Sequence, residues 1–263
     1  MQISNLPKVT DKGVDLAINA VKKARINLPE TTCRSCATCC SAGFPNCAFS
    51  EFLQIYRDNV LKMSREERLN LTLECVKRYI TSQSPDAPKK PCAFLSKETN
   101  LCSVYESRPT KCRTYGIIPH NLYKRIVNQV SIDTGVPERY IPLCVQCPYV
   151  QIKPEFANKF PNGTIPEEMI REIETELKAI DNTLLGVTTE AQEQGFGFLA
   201  YHDWHLIFEM GVTWLEKLTP IRLKFSQEEK DKFIVSLKNV LQSQLLDKKE
   251  DLKNEHNSTT VTT

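Results

Sequence analysis

Apolar residues recur with helical spacing along much of the chain. In residues 12–26 they lie at i, i+3, i+4 and i+7, and Asp11 is placed to cap the first turn. Pro29 ends this segment, because proline cannot continue a helix. The pattern therefore predicts an N-terminal helix within residues 1–30, with a buried face of Val14, Ala17, Ile18 and Val21.

Two further helices are predicted between residues 50 and 80. The first begins near Ser50. The second opens at Ser64 and Glu67, a capping box in which each residue can hydrogen-bond the backbone of the other. Their apolar faces are Phe52, Ile55, Tyr56 and Met63 in the first helix, and Leu69, Leu73, Val76 and Ile80 in the second.

The region 151–246 also has helical periodicity. Thr164 with Glu167, and Ser226 with Glu229, have the spacing of capping boxes, and a third helix is predicted near 202–218. The polar tail 247–263 has the composition of a disordered segment. The expected buried stripes are Met169, Ile173, Leu177 and Ile180; Trp204, Phe208, Gly211, Leu215 and Leu218; and Ile234, Leu237, Leu241 and Leu245.

A dense group of cysteines interrupts the helical pattern. Four thiols lie within eight residues, as Cys33-Arg-Ser-Cys36-Ala-Thr-Cys39-Cys40. A hydrophobic core does not need thiols at this density, whereas zinc and iron bind thiolate sulfur strongly. Adjacent side chains diverge, so Cys39 and Cys40 are expected to serve different centres, or one centre and its surroundings. The stretch predicts a metal site.

More cysteines follow in short turns. Cys92 and Cys102 flank a predicted hairpin, and Pro109 can start a helical turn that carries Cys112. Cys144 and Cys147 form a second C-x₂-C step before a proline, as often happens beside iron–sulfur ligands. Cys47 fits a ligand or a packing thiol equally well, and Cys75 fits core packing. The predicted metal ligands are Cys33, Cys36, Cys39, Cys40, Cys92, Cys102, Cys112, Cys144 and Cys147.

These patterns together predict a mainly α protein. Helices from both ends are expected to wrap around a loop-rich cysteine module of residues 31–150. Nine clustered thiols could form two centres of four sulfurs each, with one thiol left unligated. They could also form one such centre, with the remaining thiols free to react. Zinc and iron–sulfur clusters both accept four thiolates, but the dense C-x₂-C repeat and the proline after Cys147 favour an iron–sulfur cluster.

Composition supports metal ligation rather than disulfides. The chain of 263 residues has eleven cysteines and no evident secretory signal, so we expect a cytoplasmic protein with reduced thiols. No apolar run has the length of a membrane span. Residues 31–150 carry a net charge of +6 and residues 151–263 one of −6. The net positive charge of residues 31–150 would offset the negative charge of metal-bound thiolates. The basic residues are scattered rather than in runs, which argues against nucleic-acid binding.

Three blocks resemble a known family. They are Cys33-x₂-Cys36-x₂-Cys39-Cys40, then Cys92-x-Phe-Leu95, then Cys102-x-Val-Tyr105-x-x-Arg108-Pro109-x-x-Cys112-Arg113. Their order and spacing are similar to the CxxCxxCC family of YkgJ-like cysteine-cluster proteins, described as zinc- or iron-chelating domains. The resemblance implies about eight shared cysteines, the last supplied by Cys144, with Cys147 outside the pattern. One relative, a flagellin lysine methylase, is held to carry an iron–sulfur cluster.

Three functions remain open at this point. The chain could hold a structural or electron-carrying metal centre, act as a protein-modifying enzyme such as a lysine N-methylase, or store and deliver metal. A methylase must retain S-adenosylmethionine, whereas storage requires metal that a mild chelator removes without unfolding. The chain lacks a P-loop and a G-x-S-x-G motif. It also lacks the C-x₃-C-x₂-C spacing of the radical S-adenosylmethionine enzymes.

Two smaller groups complete the candidate chemistry. Arg108 and Arg113 are interpreted as residues that surround the sulfur site, with surface arginines as the alternative. His202, His205 and Glu209 share one helical face and could bind a metal or transfer protons. The neighbouring Trp204 favours packing for these histidines.

Overall fold

The protein is mostly helical, which confirms the predicted mainly α class. A computed structural model describes residues 11–32, 40, 46–81, 91–96, 98–135, 137–138, 149–185 and 199–240. The helices are α1 (Asp11–Ala24), α2 (Phe49–Asp58), α3 (Arg65–Thr81), α4 (Thr110–Arg113), α5 (His120–Thr134), α6 (Glu167–Leu185), α7 (Tyr201–Met210), α8 (Val212–Lys224) and α9 (227–240). Short 3₁₀ turns lie at Val60–Lys62 and Pro154–Phe156.

Helix α2 is the centre of the fold. Its first eight residues are all buried, including three that are polar. Helices α1, α6 and α7 pack around it, so the helices of both chain ends meet on this element. None of the helices within the described ranges is long and apolar enough to cross a bilayer.

An aromatic cluster joins α2 to α7. Phe52 packs against Tyr201, with ring centroids 5.4 Å apart, and Phe49 packs against Trp204 at 4.9 Å. The indole Nε1 of Trp204 donates to the carbonyl of Cys47 at 3.0 Å. Two short antiparallel strands, β1 (Asn46–Cys47) and β2 (Leu199–Ala200), pair immediately before these helices. The two helices therefore begin side by side.

The N-terminus of α2 is capped from a distant helix. Asp181 of α6 accepts the backbone N–H groups of Phe49 at 2.6 Å and Ser50 at 2.8 Å. Helix N-termini leave such donors without intrahelical partners, and a carboxylate there also interacts well with the helix dipole. This contact holds α6 against the central helix.

Most of the predicted helices are present at the expected places. Helix α1 covers Asp11–Ala24, against a prediction of 12–26. The capping boxes Ser64–Glu67 and Ser226–Glu229 both form, because each glutamate accepts the serine N–H and each serine hydroxyl accepts the glutamate N–H. Leu241, Leu245, the tail 247–263 and the connector 82–90 lie outside the described residues.

The single helix predicted over 202–218 is wrong. Gly211 divides it into α7 and α8, with a φ of +84° that is open to glycine but rarely to other residues. Its N–H bonds to the carbonyl of Ile207 at 3.0 Å and closes α7. The helical periodicity continues across a change of direction, which is why the pattern did not reveal the break.

The predicted capping box of Thr164 and Glu167 is also wrong. Helix α6 begins at Glu167 itself, and the Glu167 carboxylate pairs with Arg125. Ile165 is fully buried and donates its N–H to the carbonyl of Ile117 at 2.9 Å. A residue before proline is disfavoured in helical geometry, so Ile165 and Pro166 keep the chain extended to this point.

We expect Asp181 to make stability depend on pH. Burial raises the pKa of Asp181 to about 7, although the N–H groups of Ser50 and Phe49 oppose this change. Between pH 4 and 7 the native carboxyl keeps a proton that the unfolded chain loses, so its stabilising contribution declines as pH rises through 7. The stability difference between wild type and D181N should therefore fall by nearly 3 kcal/mol, on the order of 1.4 kcal/mol per pH unit from pH 5 to pH 7, and level off by pH 8.

Urea unfolding of both proteins across this range measures the difference directly. The exposed Asp231 supplies the matched control variant D231N, which removes a carboxyl group from the surface instead of the core. A D181N difference that stays constant or grows toward pH 8 would contradict the prediction.

Candidate metal centre

Four of the nine predicted ligands lie within the described part of the chain, namely Cys40, Cys92, Cys102 and Cys112. The other five, Cys33, Cys36, Cys39, Cys144 and Cys147, lie outside it. The geometry below therefore concerns the four, together with Cys47 and Cys75.

The backbone brings Cys40 and Cys92 together. The N–H of Cys92 donates to the carbonyl of Cys40 at 2.6 Å, across more than fifty residues of sequence. Both residues contact the main hydrophobic core, Cys92 as a buried member and Cys40 at its edge. The dense cysteine stretch thus meets the second cysteine block at this point.

A tight hairpin brings Cys102 to the same core. Leu95 and Cys102 form an antiparallel bridge, and Ser103 donates its N–H to the carbonyl of Phe94 at 2.8 Å. Asn100 turns the chain with a φ of +56°, a conformation that asparagine tolerates better than most residues. Cys102 is half-buried and packs on the main core, which confirms the predicted hairpin between Cys92 and Cys102.

Cys112 lies on the one-turn helix α4. Pro109 precedes the helix, and its carbonyl accepts the N–H of Cys112 at 2.9 Å, as the predicted helical turn requires. The thiol is half-buried and lies near the buried thiol of Cys47, whose pKa it helps to raise. Helix α4 and strand β1 contact each other, so this cysteine also lies beside the central helix.

A buried ion pair fixes the position of α4. Arg25, just after α1, pairs through its guanidinium with the carboxylate of Glu51 in α2. The same carboxylate oxygen accepts the N–H of Thr110 at 2.7 Å and its hydroxyl at 2.6 Å. Arg25 Nε donates to that hydroxyl at 3.0 Å, and its Nη1 donates to Gln54 at 3.3 Å. Three elements thus share one charged contact.

The electrostatics of this contact keep Glu51 ionised. Burial opposes the charge, but Arg25 and the two donors of Thr110 together lower the pKa of Glu51. Its second oxygen accepts the N–H of Ala48 at 3.0 Å, so the carboxylate also caps α2. These partners compensate the burial of the Glu51 carboxylate. Removal of one partner would leave a buried charge without compensation and would strongly destabilise the fold.

Cys47 and Cys75 are packing thiols. Both are fully buried in the main core and neither forms a disulfide. Burial raises the pKa of each thiol well above its usual range, so both are protonated at neutral pH. This is the core role predicted for Cys75, and it favours the packing alternative for Cys47.

Arg108 and Arg113 support the turn that carries Cys112. Arg108 Nε donates to the carbonyl of Tyr105 at 2.9 Å, and its guanidinium lies 3.5 Å from the centre of the Tyr105 ring. Arg113 Nε donates to the carbonyl of Arg108 at 3.1 Å, and another guanidinium nitrogen bonds the carbonyl of Glu106. The two arginines are thus built into the loop, rather than being loose surface side chains.

The histidines of α7 do not form a site with Glu209. His205 is fully buried and hydrogen-bonds Thr72 at 2.9 Å, while His202 lies 3.3 Å from Asp203. Glu209 pairs with Arg68 at 2.7 Å and accepts the hydroxyl of Tyr56. Burial lowers the pKa of both histidines to about 4, so they are neutral. The packing interpretation is the one that these contacts support.

The four described ligands do not by themselves complete a metal site. Among the residues that the structure describes, no three His, Cys, Asp or Glu side chains are grouped closely enough to hold a metal ion. Cys40, Cys92 and Cys102 nevertheless contact one core, and Cys112 lies near its member Cys47. A four-thiolate centre at this position would draw its remaining sulfurs from the cysteines outside the described ranges.

The comparison with known protein families agrees with this arrangement. Residues 32–132 match the CxxCxxCC family, whose description reads "Putative zinc- or iron-chelating domain". This part of the chain is therefore similar to the CxxCxxCC family, and the family description supports metal binding. The match begins one residue before Cys33 and ends within α5, so it includes every described thiol. No curated protein and no solved structure matches the chain.

Sequence reasoning missed the residues that hold the domain to its helices. Arg25, Glu51, Thr110 and Asp181 are buried and polar, yet none was singled out. A signal was present for Asp181, which follows Leu177 by four residues and so continues its apolar stripe. Glu51, between Phe49 and Phe52, is similarly a charge within an apolar run.

We expect Arg25 and Glu51 to be strongly coupled. The variant R25M should lower the free energy of unfolding by about 3–5 kcal/mol, because it leaves the Glu51 carboxylate buried without its cation. The double variant R25M/E51L should cost clearly less than the sum of the two single variants, since no unpaired charge then remains. A double-mutant cycle by urea unfolding gives the coupling energy, expected at about 1–3 kcal/mol.

An exposed pair provides the matched control. Arg57 and Asp15 also join α2 to α1, but the Asp15 side chain is 66% exposed. Their coupling should be below about 1 kcal/mol, as is usual for surface pairs. Additive effects at Arg25 and Glu51 would contradict the central role of this contact.

Proposed function

We propose that the cysteine module holds an iron–sulfur cluster and that the helices serve as its housing. The observation that carries the proposal is the meeting of separate cysteine blocks on one core. Cys92 is hydrogen-bonded to Cys40, and Cys102 is delivered to the same core by the hairpin. Cys112 lies on the neighbouring turn, beside the buried Cys47. The match to a metal-chelating family supports the same conclusion.

The donor set suits soft metals. Thiolates bind both zinc and iron–sulfur clusters, and each of these centres takes four sulfurs. The repeated C-x₂-C steps and the proline after Cys147 favour the cluster over zinc. A centre of this kind, with thiolate ligands alone, would stabilise the module or carry electrons.

A reducing compartment is part of the proposal. Thiols that must ligate metal need to stay reduced, and the cytoplasm maintains that state. The buried, protonated thiols of Cys47 and Cys75 are consistent with this expectation, because neither forms a disulfide.

The identity of the metal is tested by anaerobic purification of the full chain. We expect a brown protein with broad visible absorbance, and iron and acid-labile sulfide in stoichiometric amounts. A colourless protein with stoichiometric zinc would overturn the cluster in favour of zinc. A protein that contains neither metal would overturn metal binding itself.

Substitutions should separate ligands from packing thiols. We expect C102A and C112A each to lower the metal content per chain, because each removes a proposed donor. The matched variant C75A also removes a thiol, but from the core, so it should lower stability by about 1 kcal/mol and leave metal content unchanged. Metal analysis and urea unfolding measure the two effects separately. Full metal content in C102A and C112A would remove both residues from the ligand set.

A further inference from the structure

A basic cavity lies beside the turn that carries Cys112. It measures about 570 Å³ and is enclosed by the end of α1, the segment from Leu28 to Thr31, the turn from Tyr105 to Arg113, and Lys153. This volume is within the range of small-molecule sites, roughly 300–1,000 Å³. None of the four described ligands, Cys40, Cys92, Cys102 and Cys112, lines it.

The charge of the cavity is positive. Five cationic side chains line it, against the two carboxylates of Glu30 and Glu106. Lys153 forms an ion pair with Glu30. Arg25 forms one with Glu51, which does not itself line the cavity. Among the described residues, the remaining lining charges are Lys22, Arg108, Arg113 and Glu106. The cavity therefore has a net charge of about two positive units.

Several donors are still available for a ligand. Arg108 uses only its Nε for the carbonyl of Tyr105, and Arg113 leaves its Nη1 without a protein acceptor in the described part of the chain. Lys22 is exposed and likewise has no partner there. Two guanidinium groups with free nitrogens offer the fork geometry that binds phosphate oxygens in pairs.

Arg25, Arg108 and Arg113 line the same cavity, so their positive charges repel one another. An anion between these groups would relieve the repulsion. The side chains of Tyr105 and Leu28 form a less polar part of the lining, which could contact the organic part of a ligand.

We propose that this cavity binds a small molecule that carries a phosphate monoester. Such a group has a charge of about −1.5 to −2 at neutral pH, which matches the net charge of the cavity. Arg108 and Arg113 would hold the phosphate, and Lys22 would add a third cation from the helix. The proposal does not depend on which metal the cysteines bind. The site lies on the turn of Cys112, so a bound ligand would lie next to the metal-binding module.

Calorimetric titration of the full chain at low salt tests the proposal. Adenosine 5′-monophosphate is the probe, with inorganic phosphate as competitor and adenosine as the uncharged comparison. We expect saturable binding of the monophosphate, competition by phosphate and no binding of adenosine. R108Q should weaken binding by about tenfold to a hundredfold, the range for a lost hydrogen bond between charged groups. R108K should have an affinity between those of wild type and R108Q, because lysine keeps the positive charge but lacks the paired N–H donors of the guanidinium group.

Lys22 and Lys23 form a matched pair for the same experiment. Both are exposed on α1, but only Lys22 lines the cavity. K22Q should weaken binding several-fold with an unchanged melting temperature, and K23Q should bind as wild type does. Because Lys22 is exposed and its side chain forms no hydrogen bond or ion pair within the described part of the chain, this pair remains informative if R108Q disturbs the turn. Absence of saturable binding, equal loss in K23Q, or tighter binding of the dicarboxylate succinate would overturn the proposal.

Discussion

The buried ion pair of Arg25 and Glu51 is the contact on which the arrangement depends. It joins the end of α1 to the central helix α2, and Thr110 adds the turn of Cys112 to the same carboxylate. Asp181 of α6 caps the neighbouring N–H groups of α2. Elements from both ends of the chain are thus fixed to one helix terminus, together with the turn that carries Cys112.

This arrangement explains how a loop-rich module can be ordered. The segments around Cys92, Cys102 and Cys112 contain few residues in regular structure. They are positioned by a short bridge, by backbone hydrogen bonds and by packing on the helical core. Metal binding would then link segments that are already held in position, so it would not have to order the whole module. The basic turn of Arg108 and Arg113 adds positive charge next to Cys112.

Much of the fold could be predicted from the sequence, and the exceptions have physical causes. Apolar spacing located α1, α3 and α6, and serine–glutamate pairs marked two helix starts, because these signals are local. The break at Gly211 and the absence of a Thr164–Glu167 capping box were not predicted, since a positive φ and a distant backbone hydrogen bond do not alter the apolar period. The cysteine spacing predicted metal chemistry, and the family match supports it. The Arg25–Glu51 contact and the basic cavity arise only when distant segments meet, so no local pattern could show them.

The central claim is that sulfur from separate segments ligates one kind of metal centre. X-ray absorption at the iron and zinc edges of the anaerobically purified full chain tests this claim most directly. The account predicts a metal shell of sulfur alone, with zinc–sulfur distances of about 2.3 Å should zinc be the metal and iron–iron scattering should it be a cluster. A shell dominated by nitrogen or oxygen would contradict it, because the proposed ligands are all cysteines.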